Sequence, residues 1–300
     1  MFTRLLLPLD GSKLAESALP PAVFLAKQIG SSVTLIHIIE KGAPKKIHGE
    51  EHLSEPHAAL DYLRAVTQRW FPPDIMVEQH VHTEEVHNIA RSIIGHVHEF
   101  SSDLIIMCSH GGGDIRKWLF GSIAQQVISA GKTPALVLQP EVGSSPQDFC
   151  CHTILVPVDA HPEHEKAVTV AGELANALGV KIHLLHVIPN LKSLKPERAA
   201  TGRLLPVAMA AMLDFTEENA WKYLEQKRHE LSSRGVVSTS EVRRGDPGEE
   251  IARSAQKIEA SMIVLGTHGK TGQGAFWAGS VASKVFSLVS LPLLLVPTHK

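Results

Sequence analysis

Three kinds of feature are scarce in this 300-residue chain: cysteine, blocks of like charge, and long apolar runs. Three cysteines fit a reducing compartment, and two of them, Cys150 and Cys151, are neighbours, which rarely close a relaxed disulfide. Lysine plus arginine (29) nearly balances aspartate plus glutamate (31), with no polybasic stretch, so neither nucleic acid nor an acidic membrane surface is expected as a partner. The opening "MFTRLLLPLDG" holds an apolar run too short for a signal peptide. The greasiest later segment, "FSLVSLPLLLVP", is short of a membrane span and carries a proline. A cytoplasmic protein is the expectation. Aromatics are sparse at 5%, whereas 18 histidines are the compositional excess.

The remaining content is a repeat. "RLLLPLD" (Arg4–Asp10) aligns without a gap to "TILVPVD" (Thr153–Asp159), then Gly30 to Gly179, and "LIHII" from Leu35 to "LLHVI" from Leu184. "IARS" occurs at Ile89 and again at Ile251, and "PALVLQP" from Pro134 pairs with "PLLLVPT" from Pro292. A repeat of this length is a duplicated domain rather than a solenoid unit. The expected division is residues 1–142, a linker over 143–150 within "EVGSSPQDF", and residues 151–300.

Each half alternates short apolar strands with helices, which predicts a doubly wound (Rossmann-like) α/β domain built on a five-stranded parallel sheet with helices on both faces. Gly30 and Gly179 are expected to end the first helix of each half. Pro20 and Pro21 should kink or shorten it. "DPGEE" predicts a helix start with Asp246 as cap, Pro247 in the first turn and Glu249 closing a capping box.

Two glycine-rich loops leave the carboxyl ends of apolar strands: "CSHGGGDIRKWLFGS" (Cys108–Ser122) and "GTHGKTGQGAFWAGS" (Gly266–Ser280). Glycines admit close approach of backbone N–H groups to an anion, and the helix N-terminus that follows adds a favourable dipole. The "GKT" at Gly269 is no Walker A loop, because Val264 stands where its leading glycine belongs. A dinucleotide fingerprint would need its glycines after the first strand, where the chain reads "LDGSK" and "VDAHP". A ligand-free crossover loop remains the alternative for each loop taken alone.

The spacing Gly-x2-Gly-x9-Gly-Ser, with the "hydrophobic-Pro-hydrophobic-Asp" first strand and the "LHVI" second strand, resembles the universal stress protein family, over nearly the whole chain and twice. The resemblance implies binding of ATP or another adenine nucleotide in a stress-response protein that acts through conformation or an unidentified protein partner; one aspartate and one histidine near each loop could hold Mg²⁺ through phosphate oxygens. It also implies domain pairing through the last strand, here within one chain as a pseudo-dimer, with a homodimer left open. In the second half the implied site comprises Asp159 with its neighbours Pro157 and Val158, and Val187 at the adenine. Gly266, Thr267, His268, Gly269, Gly279, Ser280 and Val281 would surround ribose and phosphates. In the first half it comprises Asp10, Ile38, Ser109, His110, Gly111, Gly121 and Ser122.

The halves depart from the family pattern at opposite places. The second reads Ala160-His161 after its aspartate instead of Gly-Ser, and the first has Cys108 for the leading loop glycine. A Cβ at that position would be harmful if the backbone needs positive φ or touches ribose. The more complete loop points to the second half as the stronger site. Two other readings stand beside nucleotide binding: a scaffold with lapsed sites, and a slow ATP hydrolase. No carboxylate pair or Ser-His-Asp set announces catalysis, so binding is expected rather than turnover.

Two smaller features stay open. His80 and His82 are two apart on a predicted strand and face one side, opposite Val77 and Val81. They could hold Zn²⁺ with His87 or Glu85 as third ligand, or simply face solvent. The second half is also longer after its second strand, and Leu191–Met212 there reads as a lid, a partner-binding face or an extended helix.

Overall fold

A computed structural model describes the chain apart from residues 1, 44–45, 48–49, 110–120, 140–148, 160–164, 189, 191–205, 268–280 and 299–300. For 46–47, 50–51 and 206–215 it describes the backbone alone. The chain divides into two compact units. One contains Met1–Cys150 and the C-terminal strand; the other contains Cys151–Thr267 and the last helix.

The first unit opens with strand β1 (Arg4–Pro8), whose Leu5, Leu6 and Leu7 are wholly buried. Continuous apolar runs of this kind belong to strands covered on both faces. Helices α1 (Lys13–Glu16) and α2 (Leu19–Ile29) follow. The break at Ser17–Ala18 is the expected proline effect: prolines sit in the first turn of α2, where their missing N–H has no partner to lose. Gly30 ends α2 at φ 75°, a left-handed conformation that a side chain would resist. Next come β2 (Ser32–Glu40), the two-residue strands β3 (Lys46–Ile47) and β4 (Glu50–Glu51), α3 (Pro56–Trp70), β5 (Val77–Val86), α4 (Ile89–Glu99), β6 (Leu104–Cys108), α5 (Ser122–Ala130) and β7 (Ala135–Leu138).

The strand order β5-β2-β1-β6-β7 is parallel throughout, and the chain reverses its direction of travel across the sheet between β1 and β6. Right-handed crossovers then place α2 and α3 on one face and α4 and α5 on the other. Consistently, α2 packs with α3, and α4 with α5. At the far edge β12 (Leu293–Pro297) runs antiparallel to β7, with Leu293 opposite Val137 and Leu295 opposite Ala135. The "LLLVP" and "ALVL" strands do pair, as the resemblance implies.

The second unit repeats the plan with β8 (Thr153–Val158), α6 (Glu165–Leu178), β9 (Lys181–Ile188), α7 (Pro206–Ser233), β10 (Ser238–Arg244), α8 (Pro247–Lys257), β11 (Met262–Thr267) and α9 (Val281–Leu288). Its parallel strands lie in the order β10-β9-β8-β11. Gly179, at φ 66°, closes α6. Asp246 caps α8, its carboxylate accepting from the Glu249 N–H at 3.1 Å, while the Glu249 side chain reaches Lys284. Helix α7 begins at Pro206, so the segment "PVAMAAML" is helical backbone; residues 191–205 lie outside the described residues. Among the described residues no helix is long and apolar enough to cross a membrane.

The sheet is not zipped to its end where the chain reverses. Registered pairs between β1 and β6 are Leu5–Leu104 and Leu6–Ile105. Beyond them β1 stays with β2 up to Pro8–Ile36, and β6 stays with β7 up to Cys108–Leu138. Pro8 has no N–H to give a neighbour. The same splay recurs in the second unit, where β8 and β11 pair at Ile154–Met262 and Leu155–Ile263 and Pro157 stands beyond. A crevice outside the carboxyl ends at such a reversal is where doubly wound sheets take ligands.

Candidate functional site

In the first unit this crevice is a cavity of about 290 Å³. Its floor is the carboxyl ends of three strands: Pro8 at the end of β1 with Leu9 and Asp10 beyond it, Ile36–Ile38 and Glu40 on β2, and Met107–Cys108 on β6. The N-terminus of α5 (Gly121–Ala124) forms one wall, and Ile89 and Ile93 of α4 form another.

The turn after β1 is built by its own residues. Asp10 accepts from the Ser12 N–H at 2.9 Å and from the Ser12 hydroxyl at 2.7 Å. Ser12 in turn caps α1, accepting from the Ala15 N–H at 3.1 Å. The helix cap is therefore Ser12, and Asp10 orients that cap from beside the cavity. Gly11 sits at φ +92°, and a Cβ there would meet Leu53 Cδ1 at 2.8 Å. Leu53 is held over the turn by His37, whose Nδ1 lies 2.8 Å from the Leu9 carbonyl oxygen and whose Nε2 lies 2.9 Å from that of Leu53.

The two ends of the first glycine loop are tied together. The Ser109 hydroxyl accepts from the Gly121 N–H at 2.7 Å, and the Ser109 N–H donates to Leu138. This brings the exit of β6 against the start of α5. Gly121 is the cap residue of α5 and has no side chain to occupy the helix's first N–H groups. An exposed helix start of this kind favours an anion.

Cys108 is the last residue of β6, buried and in extended backbone. Gly266, its counterpart, lies within β11 and is not among the glycines with positive φ. The conformational objection to a Cβ at this position therefore falls away; Cys108 simply lines the cavity. Burial pushes its thiol well above the ordinary range, and the Asp10 carboxylate adds to the shift. Such a thiol is packing rather than nucleophile.

Of the first-half residues expected from the resemblance, Asp10, Ile38, Gly121 and Ser122 all line the cavity, and Ser109 braces it. His110 and Gly111 lie outside the described residues. Three polar lining residues were not anticipated: His37, Glu40 and His52. Glu40 follows Ile38 by the strand period of two and could have been found that way. His52 sits in a polar loop with no periodic signal; burial, then the nearby His37, hold it below the usual histidine range.

In the second unit Pro157 and Val158 end β8, Asp159 follows, Val187 is near the end of β9, and Gly266 and Thr267 end β11. These positions share one edge of the parallel sheet, and exposed Val281 begins α9. His268, Gly269, Gly279 and Ser280 lie outside the described residues. Helix α7 brings Tyr223 near Asp159: burial raises the phenol to about 12, with the Asp159 and Glu165 carboxylates contributing. Lys227, 5% exposed, pairs with Glu165 at 3.0 Å and Glu230 at 2.9 Å. Burial holds His186 below the usual histidine range, against the opposing pull of Asp159.

Comparison with known proteins agrees with this architecture. The universal stress protein family model matches residues 1–139 and again 151–297. A universal stress protein of Mycolicibacterium smegmatis is 25% identical over 206 residues, covering 65% of this chain and 62% of that relative, less than two thirds of its length. A universal stress protein E homolog of Haemophilus influenzae is 26% identical over 253 residues, covering 81% of this chain and 76% of its own. The crystal structure of a universal stress protein from Archaeoglobus fulgidus has a TM-score of 0.67 at 18% identity, covering 98% of this chain and 96% of that one, a likeness of fold.

Proposed function

The chain belongs to the universal stress protein family, and from that premise we propose that it binds an adenine nucleotide, ATP above all, with the first-half cavity as a working site. One observation carries the reading: Asp10, Ile38, Gly121 and Ser122, from three separate elements, line a single cavity. Its volume of about 290 Å³ is near the lower end of small-molecule pockets, roughly 300–1,000 Å³, and suits a nucleoside more than a whole triphosphate. The base would lie on the apolar floor beside Ile38. The ribose would meet the Asp10 side, and the phosphates would run toward the N-terminus of α5.

The described lining includes two carboxylates, Asp10 and Glu40, and no lysine or arginine. A nucleotide entering with Mg²⁺ suits that balance, since the ion offsets phosphate charge and accepts carboxylate oxygens. Asp10, Glu40 and the phosphates would hold it. Asp159, Val187, Gly266 and Thr267 of the second half stand on the equivalent sheet edge, which supports a second site of the same class. Nucleotide binding would act by changing conformation or the choice of partner.

Calorimetric titration of the chain with Mg-ATP tests the proposal, together with absorbance of the denatured protein for carried-over nucleotide. Binding that weakens when Gly121 is replaced by Asp supports the first-half site. A chain that carries no nucleotide and takes up none in the titration refutes the reading.

A further inference from the structure

Apart from the cavity, β5 and α4 bring together three histidines that no nucleotide site requires. His80 and His82 lie two apart on β5, the edge strand, and so point to the same face. His96 comes from α4, which packs on that face. One ligand nitrogen from each lies within 4.8 Å of the other two.

We infer that His80, His82 and His96 form a three-imidazole site for a divalent transition-metal ion, with Zn²⁺ the ion its geometry and donors fit. His96 Nε2 is 3.1 Å from His82 Nδ1. Zn–N bonds of about 2.0–2.1 Å in a tetrahedron put ligand nitrogens roughly 3.4 Å apart, so this pair already stands at ligand spacing. His80 closes the set by a side-chain adjustment on an edge strand, where it and His82 are half-buried and within reach of solvent.

The outer contacts fit the same role. Glu99 Oε2 lies 2.7 Å from His96 Nδ1, so the carboxylate draws the ring proton to that nitrogen. Nε2 is thereby left with its lone pair aimed at the other two rings. A carboxylate behind a metal-bound imidazole is the usual device for fixing tautomer and orientation. Phe100 stacks on His96 at 5.7 Å and meets His80 edge-on at 5.0 Å, walling the site with apolar surface. Neither His87 nor Glu85, the third ligands considered from the sequence, joins the cluster; His96 takes that place.

Three neutral nitrogens and an open fourth position suit Zn²⁺, Co²⁺, Ni²⁺ or Cu²⁺ and not Mg²⁺ or Ca²⁺, which take oxygen. Bound metal would join β5 to α4, and so stiffen the helix whose Ile93, one turn before His96, lines the nucleotide cavity.

The test uses the full chain stripped with chelator, titrated with Co²⁺ for its visible spectrum and with Zn²⁺ in competition. The remaining histidines provide weak background, so variants carry the decision. Expected are one tight equivalent, intense tetrahedral Co²⁺ bands, and a higher melting temperature with Zn²⁺ but not Mg²⁺. His80→Gln and His82→Gln should each lose at least tenfold in affinity along with the bands. Exposed His87→Gln should match the parent. Glu99→Gln should weaken binding by about 10–100-fold without abolishing it. His80 and His82 are half-buried, so their variants remain informative even if buried His96 proves necessary for folding. Unchanged Co²⁺ bands and affinity in the His80→Gln, His82→Gln double variant would overturn the assignment, as would a parent chain with no tight equivalent.

Discussion

Replacing Gly121 by aspartate separates binding chemistry from folding. Gly121 has φ −59° and ψ 153°, values open to any residue, so the substitution meets no backbone strain. Aspartate is a better helix cap than glycine by a few tenths of a kcal/mol, so α5 should be slightly stabilised. Its charge would stand where the nucleotide's phosphates are proposed to approach. Two like charges about 6 Å apart at an effective dielectric near 20 repel by roughly 3 kcal/mol. Salt and Mg²⁺ reduce this to about 1.5–2 kcal/mol, still tenfold or more in affinity. Calorimetry should show ATP weakened by that factor, adenosine little changed, and the melting temperature equal or higher. Gly121→Asn, with a similar cap and no charge, should bind ATP as the parent does. Titrating in a Gly279→Asp background removes the second-half contribution. Equal losses for adenosine and ATP, or no loss for either, would refute the placement of phosphates at α5.

Other consequences concern stability and reactivity. His52, His80, His183 and His186 are all held below the usual value of 6.5, burial being the largest cause for each. The unfolded chain binds their protons more readily, so their contribution is complete above pH ~6.5 and is lost as pH falls toward the depressed folded values. Melting temperature should therefore drop between pH 7 and 5, and a flat profile would contradict it. Gly11→Ala combines φ +92° with a Cβ 2.8 Å from Leu53 and should cost about 1–2 kcal/mol in denaturant unfolding. It should also weaken ATP, because the turn that positions Asp10 is strained. A disulfide reagent should modify one thiol, exposed Cys150, rapidly in the native protein, and buried Cys108 and Cys151 only after unfolding. Rapid modification of Cys108 would mean that its thiol is not the inert packing group described.

Much of the fold is local chemistry and was readable along the chain. Apolar strand runs, the glycines at 30 and 179, the proline pair at 20–21 and the Asp246 cap each act within a few residues, where sequence and structure report the same forces. Pro8 and Pro157 are also local, yet their consequence is not: they stand where β1 and β8 part from β6 and β11, and that parting opens the crevice. Asp10 and Gly121 were legible as candidates, but that they face one cavity with Glu40 and His52 depends on a loop folded back by His37. The harm expected from Cys108 rested in part on an assumed backbone angle, and the strand geometry removed that part. His80 and His82 announced themselves by their spacing; their partner did not.

By itself the sequence determined the duplication, the α/β class and the family, because repeat length, hydrophobic period and motif spacing are properties of the chain order. The tertiary structure decided what meets across it. It set β12 antiparallel against β7, put Ser109 against Gly121 at the two ends of a loop, and brought His96 from a helix to two histidines on a strand. Contacts between residues far apart in sequence arise from sheet order and helix packing, and no local pattern encodes them.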